Sequence, residues 1–243
     1  MTVHLVGAGP GDPGLLTMRG AALLRRCDVV VHDRLVGSAI LDMAPLGAPR
    51  IDVGKRPGDS ATQVDINDLL VDLGRRHSCV VRLKGGDPHV FGRAAEELLA
   101  LRAAGIATEV VPGVSSALAA PTAVGIPLTT RLAASGFTVV TAHQDPATDR
   151  TLDWDALARV GTTLVILMGA GRAGAFRDRL LAGGMEPATP VAIITDATLP
   201  TMSERRLTLA QLGEERVPNP SVIVIGAVAA LDLRASQHVA PPF

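Results

Sequence analysis

Two hydrophobic runs in the first hundred residues each empty into a turn of glycine, aspartate and proline. Residues 3–6 lead into Gly7-Ala8-Gly9-Pro10-Gly11-Asp12-Pro13, and residues 80–83 into Lys84-Gly85-Gly86-Asp87-Pro88. Glycine reaches backbone angles closed to other residues and lets a ligand approach the main chain, while proline fixes the exit. In an open α/β sheet, turns at the carboxyl ends of strands line the crevice where small molecules bind. Two such turns imply one shared cofactor pocket.

The rest of the first half supports that sheet. Strand-like runs near 3–7, 28–32, 50–53, 79–83 and 107–111 alternate with helical patterns near 14–26, 36–43, 63–76 and 92–104. The alternation predicts βαβ units and a mainly parallel sheet, and the valine-rich runs suit strands covered on both faces. The rhythm pauses at Gly125-Ile126-Pro127-Leu128-Thr129, because glycine and proline interrupt regular structure. We therefore expect an N-terminal α/β domain over 1–124 carrying the glycine turns, a linker over 125–135, and a C-terminal α/β domain over 136–243. Strands are expected there near 137–141, 162–167, 190–195 and 221–225, with helices near 153–159 and 172–183. A run at 201–207 reads as a further strand, paired with its neighbour as a hairpin.

Composition narrows the function. The chain has 243 residues, nearly half of them hydrophobic, which is enough for a sizeable core. Four Phe, one Trp and no Tyr leave few platforms for stacking bases, and a net charge of −1 without a basic block disfavours a nucleic-acid face. Cys27 and Cys79 form no CxxC pair and read as buried or half-buried thiols. The histidines have no ligand spacing, so no metal site is expected, and His143 alone follows a strand closely enough to watch. No apolar stretch is long enough to span a bilayer, and a cytoplasmic setting is expected.

The first glycine turn fails the dinucleotide fingerprint, because Asp12 stands where G-x-G-x-x-G needs its third glycine. Pro10 also removes an amide donor. No G-x-x-x-x-G-K-[ST] loop occurs either, so a cofactor held by backbone amides and carbonyls fits better than a nucleotide phosphate. Asp33-Arg34 and Lys55-Arg56 follow two successive strands. Each pair alone reads as a solvated rim; beside two glycine turns they read as site residues, an acid and a lysine able to divide proton removal and delivery. Arg82 reads as a cap on the sheet surface, whereas Arg93 is better placed to point into the cleft. Ser115 and Ser116 follow Pro112-Gly113 at a helix start, where they either cap the helix or face the crevice.

Taken together, these motifs resemble the tetrapyrrole methylases over almost the whole chain. The resemblance is carried by the two glycine turns, Asp33-Arg34-Leu35-Val36, Gly54-Lys55-Arg56, Phe91-Gly92-Arg93, Val111-Pro112-Gly113, Gly125-Ile126-Pro127-Leu128-Thr129 and Met168-Gly169. The Asp-Arg-Leu-Val and Gly-Lys-Arg pieces are similar to the uroporphyrinogen-methylating branch. The resemblance implies a homodimer of two α/β domains with a cleft between them. It also implies S-adenosylmethionine as methyl donor, with S-adenosylhomocysteine as product, and methylation of uroporphyrinogen III at C2 and C7 to precorrin-2 for sirohaem or cobalamin. Carried over by position, the donor site would include Pro10, Gly85, Gly86, Asp87, Val90, Ser115, Ser116, Met168 and Ala197. Asp33 would accept a proton and Lys55 donate one. The substrate's many carboxylates call for arginines, and Arg34, Arg56, Arg93 and Arg131 are the candidates. His32, Thr130, Thr195-Asp196 and a shortened 57–62 loop depart from the family pattern. A later precorrin or cobalt-precorrin C-methyltransferase, or a donor-binding module without turnover, remain alternatives.

Overall fold

The computed structural model describes residues 1–54, 62–131 and 133–234. The chain separates into two compact units, the first spanning Met1–Ser116 and the second starting at Ala117.

Strands β1 (Thr2–Gly7), β2 (Val29–His32), β3 (Arg50–Asp52), β4 (Cys79–Lys84) and β5 (Ala107–Val111) form the sheet of the first unit in the order β3-β2-β4-β1-β5. Every pairing is parallel. Four helices accompany them: α1 (Met18–Leu24), α2 (Ser38–Leu41), α3 (Gln63–Arg76) and α4 (Ala94–Ala103). Successive side chains of a strand point to opposite faces, and both faces here are apolar. Val30, Val81 and Leu83 pack with Leu23, Leu24 and Ile40 of α1 and α2. Val29, Val31 and Val80 pack on the other side with Ile66, Leu70 and Leu101 of α3 and α4.

Helix boundaries follow local chemistry. The Thr62 hydroxyl accepts from the Asp65 amide and the Asp65 carboxylate accepts from the Thr62 amide, a reciprocal cap that starts α3 where the apolar period predicts. The helix expected over 14–26 is instead a 3-10 turn, Pro13–Leu15, followed by α1, because Thr17 caps a fresh start by accepting from the Gly20 amide. Helix α4 begins only at Ala94, since Arg93 has φ +57° and cannot be helical.

The second unit also holds five strands: β6 (Phe137–Thr141), β7 (Thr163–Leu167), β8 (Pro190–Thr195), β9 (Ser203–Thr208) and β10 (Ser221–Ile225). Their order is β6-β7-β10-β8-β9. Only β6 and β7 run parallel; β10 is antiparallel to both its neighbours, and β8 and β9 form the expected antiparallel hairpin. Helices α5 (Ser116–Ala123), α6 (Trp154–Arg159) and α7 (Ala173–Ala182) complete it. The single tryptophan stacks on Phe176, ring centroids 5.6 Å apart, and locks α6 to α7.

The expected linker over 125–135 lies inside this second unit. Ala117, Ala120, Val124, Ile126 and Ala134 share one buried cluster with Val165, Ala192 and Val224 of the sheet. Apolar residues flanking the glycine-proline segment thus draw it into a core. Helix α5 begins at Ser116, the helix start expected after Pro112-Gly113, and carries Pro121 within it.

Candidate active site

Topology sets where a pocket can form in the first unit. Strands β1 and β4 are neighbours, yet α1 after β1 covers one face and α4 after β4 covers the other. The chain therefore departs in opposite directions from adjacent strand ends, which opens a crevice at the carboxyl edge. Both glycine turns sit there.

The two turns are hydrogen-bonded to each other. The Gly9 amide donates to the Gly86 carbonyl at 3.1 Å, the Gly86 amide to the Gly9 carbonyl at 2.8 Å, and the Ala8 amide to the Lys84 carbonyl at 2.7 Å. Gly9 and Gly86 hold φ of +74° and +65°. A third turn, after β5, closes on them: a Cβ on Gly7 would lie 2.5 Å from Gly113 Cα and 2.7 Å from the Gly86 oxygen. Asp87 ties the second turn to the third, since its carboxylate accepts from the Gly113 amide at 3.0 Å and from the His89 amide at 2.8 Å. Ser115 and the Ser116 amide lie within 4 Å of where a Gly86 Cβ would stand. Pro10, Gly85, Gly86, Asp87, Ser115 and Ser116 are thereby gathered at one edge, with Val90 exposed on the loop that follows.

Beside this cradle lies a buried set of charges that sequence reasoning missed. Arg82 and Lys84 are each only 2% exposed, so Arg82 is no surface cap. Alternation along β4 aims both toward α4, from which the fully buried Glu97 meets them. Glu97 Oε1 accepts from Lys84 Nζ at 2.7 Å, from Arg82 Nη2 at 3.0 Å and from Arg82 Nε at 3.2 Å. Arg82 Nη2 also donates to Asp33 Oδ1 at 2.6 Å, and the Asp33 side chain remains 35% exposed. Burial and the neighbouring Arg82 hold the Lys84 ammonium below its ordinary range, while Glu97 and Asp33 pull it back up. The available signal was an Arg-x-Lys pair on the covered face of a central strand, which demands a buried counter-charge.

The remaining candidates are dispersed. Arg34 is exposed next to Asp33, and its backbone packs against Gly54, where a Cβ would come within 2.6 Å of the Arg34 nitrogen. Arg93 is engaged by Glu96 through two hydrogen bonds, 3.0 and 2.6 Å, along the start of α4 rather than standing open for a substrate carboxylate. Lys55 and Arg56 lie outside the described residues. Arg131 is exposed in the second unit. Among the described residues no group of acidic, histidine or cysteine side chains is arranged to hold a metal. The thiols are free, and burial pushes Cys27 up to about 11. No helix of the described residues is long and apolar enough to cross a membrane.

Met168 and Ala197 belong to the second unit, at the same edge of its sheet, because β7 and β8 both run antiparallel to β10. Met168 has φ +54°, and Ala197 is flanked by Asp196 at +51° and Thr198 at +69°. The other described non-glycine residues with positive φ are Phe91 and Arg93, after β4. Backbone strain of this kind persists where surrounding structure enforces it and gathers at functional sites. In both units it marks the segments following strand carboxyl ends.

Fold and site thus define an α/β protein with glycine turns gathered at the carboxyl edge of a parallel sheet. The model of the tetrapyrrole (corrin/porphyrin) methylases matches residues 2–213, and the chain belongs to that family. It is 44% identical to the S-adenosyl-L-methionine-dependent uroporphyrinogen III methyltransferase of Methanosarcina barkeri, covering 99% of this chain and 97% of that protein. It is 48% identical to siroheme synthase 1 of Yersinia pseudotuberculosis over 94% of this chain, spanning 49% of that longer protein. Among solved structures, uroporphyrin-III C-methyl transferase from Thermus thermophilus complexed with S-adenyl homocysteine matches with a TM-score of 0.83 and 40% identity, covering 95% of this chain and 99% of that one.

Proposed function

We propose that this protein is an S-adenosylmethionine-dependent methyltransferase that converts uroporphyrinogen III to precorrin-2 by methylation at C2 and C7. The observation that carries the reading is the joining of the Gly9, Gly86 and Gly113 turns directly beside an accessible carboxylate, Asp33. The names of the Methanosarcina and Thermus relatives support it.

The residues present fit the donor. The turns are pre-formed by mutual hydrogen bonds, and Gly85 leaves open space at their surface, a cradle that suits a ligand lacking phosphates. When bound, S-adenosylmethionine supplies a methyl on a sulfonium, an electrophile that leaves a neutral thioether. The chain's own task is alignment of donor and pyrrole carbon, and proton handling. Methylation of a pyrrole carbon creates a cation that is relieved when a ring proton departs. Asp33 is the group we assign to receive that proton, kept oriented by its bond to Arg82. Lys55 is assigned the return of a proton to the macrocycle, and Arg34 and Arg56 the substrate carboxylates. We also read the protein as a cytoplasmic homodimer, for which sedimentation should give twice the chain mass.

Incubating the protein with donor and uroporphyrinogen III should yield the red-shifted dipyrrocorphin chromophore and a mass gain of two methyls. A single methyl, or none while the donor still binds, overturns the reading. Asp33→Ala should slow methylation by roughly a hundredfold or more, leaving affinity for S-adenosylhomocysteine within about threefold. An unchanged rate removes Asp33 from the mechanism.

A further inference from the structure

Glu97 is fully buried, carries no apolar packing role, and sits in helix α4 where an uncharged residue would cost less. All its hydrogen bonds converge on one oxygen, while Oε2 is buried without a partner among the described residues. A carboxylate solvated so poorly is a weak source of stability by itself. Its consequence lies with Arg82, whose Nη2 is shared between Glu97 and Asp33. Arg82 Nη1 donates further to the Leu83 carbonyl at 3.3 Å, so the guanidinium plane is held from two sides. Only one of the two carboxylates it touches reaches solvent.

We propose that Glu97 is a positioning residue for Asp33: it anchors the Arg82 guanidinium that presents the Asp33 carboxylate, and with Lys84 it sets the charge that carboxylate feels. The proposal rests on reading Asp33 as the proton acceptor. A free Arg82 bonded to Asp33 alone would hold it as a strongly stabilised anion and a poor base. Sharing the cation with Glu97 weakens that grip, and Lys84 offsets the added negative charge. The charged groups around this set are Arg82 and Lys84 from β4, Glu96, Glu97 and Arg93 from α4, and the chain neighbours His32 and Arg34.

Two variants of opposite sign test it. E97Q preserves shape and removes a negative charge, so ionised Asp33 is favoured and the acidic limb of the methylation pH profile should move down. K84M removes a positive charge and should move the same limb up. Each shift should be roughly one pH unit, the size of a unit charge a few ångströms away in a partly screened interior. Lost packing alone lowers activity without moving the limbs apart. Limbs that stay in place, or move together, overturn the proposal.

A second readout needs no turnover. In lysine-labelled protein, the Lys84 side-chain carbon resonance, assigned by its loss in K84M, should titrate at lower pH in D33N and in E97Q than in the wild type, since both carboxylates raise it. Indifference of Lys84 to D33N shows that the set does not couple to Asp33 and overturns the proposal. If the wild type fails to methylate uroporphyrinogen III, the functional reading falls while this measurement still decides the coupling. Should E97Q lose its fold by circular dichroism, K84M and D33N carry the test.

Discussion

Gly113 shows how little space separates the three strand-end turns. A side chain there would drive its first carbon inside the Gly86 carbonyl oxygen and toward the Gly7 backbone, and neither can swing aside as a side-chain tip can. Gly113→Ala should therefore destabilise the protein by about 1–3 kcal/mol, the range for overpacking. It should also abolish binding of S-adenosylhomocysteine, because the Asp87 carboxylate loses its alignment with the Gly113 amide. Thermal melts and titration calorimetry check both. Glycine, aspartate and proline in these turns are legible from sequence because their backbone demands are local. Arg82 is not legible in the same way. As a lone arginine in a strand it reads as a surface cap, and only Glu97, fifteen positions later on a helix, explains its burial.

Among the elements, helix α3 and the strands of the first unit coincide with their sequence patterns almost to the residue. The valine run of β2 is central and covered on both faces as expected, whereas the run at 108–111 forms the edge strand β5 with Ala107 and Thr108 exposed. Helix α3 carries its own start signal in Thr62 and Asp65. That signal has a pH signature. The Asp65 carboxyl is held below its ordinary value, chiefly by the Thr62 amide and then by the Thr62 hydroxyl. A depressed carboxyl contributes stability above its unfolded value and loses it as pH falls through the folded one. Asp65→Ala should lower the melting temperature at neutral pH, and the difference from wild type should shrink as the pH falls below the ordinary carboxyl range. A constant gap across that range contradicts the capping account. The segment expected as a linker at 125–135 is claimed by Ile126 and Ala134 in a core that local pattern cannot reveal.

For the molecule as a whole, a ligand that binds only the native state should raise stability in proportion to its occupancy. S-adenosylhomocysteine at a hundredfold excess over its Kd should add about 2.7 kcal/mol, read as a rise in melting temperature, and Gly113→Ala should show none of it. The sequence by itself determined that the first unit is a parallel α/β sheet with glycine turns at two strand ends. Periodicity, glycine and proline act within a few residues and leave their mark in order along the chain. Tertiary structure alone decided that β10 runs antiparallel between β7 and β8, and that Met168 and Asp196 are held at positive φ. It alone decided, too, that Arg82, Lys84 and Glu97 share one buried space with the half-exposed Asp33 carboxylate at its rim. Charge in a low-dielectric interior is satisfied by whatever the fold brings within a few ångströms, and no local pattern encodes which distant residue that will be.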